Sequence, residues 1–249
     1  MKNILYKVGL IFMAISSIIS ISSCAKRIVE QNTSNIKFLL QEKYGCEFEI
    51  VSLGDRFSTD KANTVTAVCY PTGNRDLIFE AEMNTDNELV RDDYKESVVE
   101  AYIAEIIITE MENRGIPAAV KVHVAKISSL DKVIKKEELD EFIAANDGIS
   151  VTFHTAVSNV DAAQDAYAAI TNALMSVYSK NTTMSIGTTV WNLEEASYKE
   201  CCEKMSVNTT VSKTFFEDYK PIGSSNIAVV DGRINKTADM FCTALSNSN

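Results

Sequence analysis

The densest apolar pattern in the chain lies between Arg91 and Arg114. There Tyr94, Val98, Tyr102 and Ile106 recur every fourth residue beside Val99, Ile103, Ile107 and Met111. A stripe this broad at helical spacing predicts a long helix packed on a sheet. Asp92 and Asp93 stand at the positive end of its dipole, and Gly115 followed by Pro117 stops it. Upstream, the spacing of Ile36, Leu39, Leu40 and Tyr44 predicts a short helix over 35–44, closed by Gly45. Alternation then predicts strands over 46–52, 64–70 and 76–83. In the third, Leu77, Phe79, Ala81 and Met83 face one way while Ile78, Glu80 and Glu82 face the other, and a sheet with one wet face is antiparallel in character. Tyr70-Pro71-Thr72-Gly73 reads as a type I turn between the last two strands.

Beyond Pro117 the period changes repeatedly. Strands are predicted over 120–127, 149–157, 184–192 and 227–230, and helices over 135–146, 160–179, 194–205 and 237–245. Ser158 and Asp161 have the spacing of a capping box for the second of these helices. Strands that cluster first and then alternate with helices predict an α+β fold, an antiparallel or mixed sheet packed by amphipathic helices. Charge suggests a division: residues 35–150 carry 23 Asp and Glu against 13 Lys and Arg, whereas residues 151–249 carry 10 against 7. With the change of texture between Ser128 and Gly148, this gives two expected subdomains, 35–148 and 149–249.

The opening residues have another character. Lys2 and Lys7 precede an uncharged run of 16 residues, Val8 to Ser23, with five serines and a glycine, short of the roughly 20 apolar residues of a bilayer-spanning helix. Residues 1–23 therefore read as a signal peptide. The run ends in Ile21-Ser22-Ser23-Cys24, which resembles the lipobox of bacterial lipoproteins. That resemblance implies a diacylglyceryl thioether on Cys24, the membrane as a partner through this lipid anchor, and a location at the cell membrane on its extracytoplasmic face. Residues 24–34 are then a lipidated tether, since one acyl chain binds reversibly and two hold stably. The alternative is ordinary cleavage after Ala25, because Ser23-Cys24-Ala25 also has small residues one and three positions before the cut.

A second resemblance rests on Tyr44-Gly45, Phe48, Cys69-Tyr70-Pro71, Phe79 and Asp92-Asp93-Tyr94. This pattern is similar to one in uncharacterised exported lipoproteins of Gram-positive gut bacteria. It spans roughly residues 36–105 and implies no activity.

Removing Lys2 and Lys7 with the leader takes the formal charge from −10 to −12, which disfavours nucleic acid as a partner. Cys46 and Cys69 face the apolar sides of their strands and form either one disulfide or two buried thiols. His123 and His154 are the only histidines; both alternate with polar residues, and on neighbouring strands they would flank a pocket or share a metal. Cys201-Cys202 on an amphipathic helix reads as core filler, and Ser224-Ser225 after Gly223 as a turn. Asp92 and Asp93 with Asp86 and Glu88 lack the glycine of a calcium loop. Glu80 and Glu82, with Glu47 and Glu49 nearby in sequence, predict an acidic binding patch. The expectation is a non-catalytic surface lipoprotein that needs no cofactor or metal and binds a protein or an envelope component. The alternatives are an exported enzyme using His123 or His154, or a structural component of an envelope assembly.

Overall fold

The computed structural model describes residues 27–54, 64–127, 136–158, 163–207, 211 and 213–246. The expected signal peptide, Cys24 and Asp161 lie outside them. The fold is α+β, as expected, and forms two compact units, one of residues 1–75 with 80–92 and one of 76–79 with 93–249. The division at Asp92 corrects the one expected at Gly148. It cannot fall at 148, because the strands on either side pair in unbroken register from Ala118↔Val157 to Ala125↔Ser150.

In the first unit a helix α1 (27–44) accompanies a four-stranded sheet in the order β1 (Phe48–Leu53), β2 (Thr64–Pro71), β3 (Phe79–Asn84) and β4 (Leu89–Asp92). The alternation read from the sequence is real: Val65, Ala67, Cys69, Phe79, Ala81 and Met83 are buried, as are Ile36, Leu40 and Tyr44 of the helix. Polar contacts lay α1 across the strands. Lys37 binds Glu49 of β1, and Asp92 at the end of β4 accepts the Tyr44 hydroxyl and, at 2.7 Å, the Lys43 ammonium.

Three details depart from expectation. Residues 27–34 of the expected tether are helical, with Thr33 and Ser34 donating to the carbonyls of Val29 and Glu30. β4 was not foreseen; the Asn84 side chain accepts the N–H groups of Asp86 and Glu88, and Asn87 at φ 61° completes the turn into it. The turn after β2 closes between the Pro71 carbonyl and the Asn74 N–H, one residue later than expected, which puts Gly73 at its third position with φ 91°.

The second unit is a five-stranded mixed sheet in the order β5 (Ala118–Ala125), β6 (Ser150–Ser158), β7 (Ser185–Leu193), β8 (Gly223–Val230) and β9 (Arg233–Ile234). Only β6 and β7 are parallel, joined by the crossover helix α4 (Ala163–Tyr178). Against one face pack α2 (Tyr94–Glu112), α4 and α7 (Ala238–Ser246), whose Ile103, Ile107, Ile170, Leu174 and Phe241 share a core with Val122, Phe153, Ile186 and Ile227. Gly115 at φ 67° ends α2 with a bond from the Ile116 N–H to the Met111 carbonyl. On the other face α5 (Glu195–Val207) and α6 (Lys213–Glu217) form a smaller core of Trp191, Leu193, Cys201, Met205 and Phe216. The short helix α3 (Leu139–Ala145) is held to the α4–β7 turn by Asn181, which donates to the carbonyls of Ile143 and Asn146.

Candidate functional site

Strand β5 is the end strand of its sheet, and a groove of about 560 Å³ runs along its outer edge, a size typical of ligand clefts. Ala119 to Val122 of β5 line it, together with Cys202 and Met205 of α5 and the segment Asp76 to Ile78. The remaining wall is one stripe of α2. Positions 97, 100, 101, 104, 105, 108 and 112 recur at helical spacing beside the buried stripe. Ala101 and Ala104 are small enough to leave room, while Glu100, Glu105 and Glu112 make the wall acidic.

Two titratable side chains that line this groove, Glu100 and Lys121, lie near His123 of the same strand edge. The Glu100 carboxylate is 17% exposed and accepts the Val124 N–H at 2.9 Å, so a side chain occupies a position where a neighbouring strand would otherwise bond. His123 Nδ1 lies 3.4 Å from the same carboxylate. Burial pushes the Glu100 carboxyl above its ordinary range, and the Val124 N–H and the positive charges of His123 and Lys121 pull against it. Burial also pushes the Lys121 ammonium down, opposed by the charge on Glu100. A buried carboxyl with a displaced pKa beside an imidazole in a groove has the marks of a functional site. Glu100 and Lys121 belong to no motif along the chain. The available signal was Glu100, Ala101, Ala104 and Glu105 in a repeat that elsewhere carries large apolar residues.

The two histidines do sit on neighbouring strands, yet their rings serve different surroundings. In the β5–β6 register His123 opposes Thr152 and His154 opposes Lys121. His123 is largely exposed, whereas the His154 ring lies 5.1 Å from Phe216, and its Nδ1 accepts the Trp191 indole N–H at 3.2 Å. That bond puts the proton of a neutral ring on Nε2, and burial lowers the pKa of His154. His154 is thus a half-buried member of the aromatic cluster, held against Trp191 and Phe216. Among the described residues no group of three or more His, Cys, Asp or Glu is placed to hold a metal ion.

Cys46 and Cys69 are not joined in a disulfide. Cys69 pairs with Ile50, and Cys46 precedes β1, four residues further along; at about 3.3 Å per residue that separation exceeds what a disulfide spans. Burial raises the Cys69 thiol to about 12, so it behaves as a small apolar side chain. Glu80 and Glu82 alternate with the buried residues of β3, as expected, but Arg91 lies 3.6 Å from Glu80 and opposite Glu82, and Glu49 is paired with Lys37. The acidic patch of the first unit is therefore partly neutralised within the chain. Ser224 and Ser225 lie inside β8, not in a turn, and Ser225 accepts Lys236 at 3.1 Å in a buried setting. Cys201 is buried against the Met205 sulfur, as a core filler would be.

No protein-family model matches the sequence, and no curated protein matches it. Structural comparison finds a likeness to the crystal structure of a DUF5037 family protein from Ruminococcus gnavus ATCC 29149. The TM-score is 0.58 at 15% sequence identity, over 86% of this chain and 98% of that one. The fold is shared. At this identity the likeness extends to the path of the chain and carries no residue roles.

Proposed function

We propose that this protein is a non-catalytic binding protein, anchored through lipid on Cys24 at the extracytoplasmic face of a cell membrane, which holds a protein or envelope component in the groove beside β5. The groove carries this reading. It combines apolar area from Ala101, Ala104, Ile108 and Val120 with an acidic wall, which is the mixture of anchoring and orienting groups that binding clefts use. Charge is answered within the chain on both acidic surfaces, at Glu80 by Arg91 and at Glu105 by Lys136, so the groove is preferred to the patch around Glu80 and Glu82 for its concavity and apolar area.

The test is capture of envelope material by the anchored protein at several salt concentrations. Charge reversal at Glu105 and Glu112 is expected to weaken capture and flatten its salt dependence, and reversal at Glu80 and Glu82 to do so less. Equal capture by all variants overturns the groove as the binding surface. Recovery of processed Cys24→Ala in the detergent phase overturns the anchor.

The proximity of Glu100 to His123 favours one other reading, a general acid–base pair acting on a ligand in the groove. Under it Glu100→Gln abolishes turnover and leaves capture intact, whereas the binding reading expects no turnover to lose.

A further inference from the structure

Helix α1 is described from residue 27 on, and only Ala25 and Lys26 lie between Cys24 and that residue. Consecutive Cα atoms are 3.8 Å apart whatever the conformation, so Ile28 stays within about 15 Å of the Cys24 Cα. A thioether-linked diacylglycerol places that Cα at the headgroup level, and Arg27, Ile28 and Val29 are then within reach of the interfacial region. The residues there suit it. Ile28 is 53% exposed and Val29 is 52% exposed, two adjacent aliphatic side chains without cover on the first turn of an 18-residue helix. Lys26 and Arg27 precede them in a chain that is otherwise strongly acidic, with Glu30 the next charge along.

We propose that the first turn of α1 is a membrane-contact element, with Ile28 and Val29 set into the headgroup region of an anionic bilayer and Arg27 against its phosphates. This rests on the lipoprotein reading of Cys24. Aliphatic burial and a basic residue near an anionic surface each add to the attraction of an acyl anchor. The excess of acid over base in residues 35–150 is repelled by the same surface.

The experiment uses the full-length protein, processed in cells, purified and reconstituted in vesicles of phosphatidylcholine and phosphatidylglycerol with brominated acyl chains. The chain has a single tryptophan, Trp191, which is 2% exposed and gives a constant background. Ile28→Trp is expected to give emission that is blue-shifted and quenched several-fold more by brominated than by ordinary lipid. Phe38→Trp, at a site 59% exposed and about 15 Å further along the helix axis, is expected to show neither effect. Mass spectrometry of the N-terminal peptide runs alongside. Acylated Cys24 in both variants, with the same emission and quenching from Ile28→Trp as from Phe38→Trp, overturns the contact element and leaves the anchor standing. An unacylated N-terminus overturns the lipoprotein reading and this proposal together.

Discussion

The two sheets answer the same demand, to bury one face of a set of alternating strands, by different means. Both sheets take their strands in chain order, and the four-stranded one has α1 bonded to its first and last strands. Its contacts are mostly between segments close in sequence, and its buried and wet faces can be read directly from the alternation of β3. The five-stranded sheet needs a parallel crossover through α4 and carries helices on both faces, so β6 and β7 present buried residues at consecutive positions such as Thr155 to Val157 and Val190 to Leu193. Alternation fades where both faces are covered. A sheet with one wet face announces its orientation, whereas one covered on both faces conceals which residue meets which helix.

The sharpest way to break this comparison is to unfold one unit alone. Ile103→Asp places a carboxylate in a fully buried position of α2, at a cost of several kcal/mol. Hydrogen exchange is expected to show protection lost throughout residues 93–246 and retained in β1 to β4. Simultaneous loss in both units would show that the local sheet does not stand by itself.

Gly223→Ala comes next in size. A Cβ there would collide with the backbone oxygens of Leu245 and Ala244, so the C-terminal turn of α7 must move. The expected loss is about 3 kcal/mol in denaturant unfolding. A neutral outcome would mean that α7 is not held tightly against β8.

In the first unit, Asp92→Asn weakens the acceptor shared by Tyr44 and Lys43 and is expected to cost about 1–2 kcal/mol. Thermal unfolding followed at the tyrosines measures it. No change would show that α1 is held by its apolar stripe alone.

The Glu100 carboxyl supplies a pH test of the groove. Its pKa is raised on folding from an ordinary value of 4.5, so the folded state binds the proton more tightly than the unfolded chain. Its contribution to stability is full below pH 4.5 and is lost as pH rises through the folded value. Glu100→Gln keeps an acceptor for Val124 and removes the ionisation, so its stability relative to wild type is expected to improve as pH is raised. Parallel stability curves for the two proteins would remove Glu100 as a buried titrating group. The smallest effect belongs to Glu105→Lys, which loses only an exposed ion pair with Lys136 and should change stability by less than about 1 kcal/mol.

Local periodicity was enough to reveal the long helix, the strands of the meander and most of the later elements. It missed β4, because four residues between acids carry no alternation to detect, and it missed α6, too short for a helical repeat. The groove was half legible. His123 stood out as one of two histidines, but its partner Glu100 comes from a helix 23 residues upstream and shares no motif with it.

By itself, the sequence determined which faces of its helices and strands are apolar, the α+β class, and the chemical character of its first 24 residues, because these depend on residue type and spacing along one segment. Tertiary structure alone decided that the chain divides at Asp92, that Cys46 and Cys69 stay apart, that His154 is held against Trp191 and Phe216, and that Glu100 bonds to the edge of β5. Each of these depends on the register and packing of segments distant in sequence. Side-chain alternation repeats every two residues and is the same for any pairing that keeps the buried face inward, so it says which way a residue points and not what it will meet.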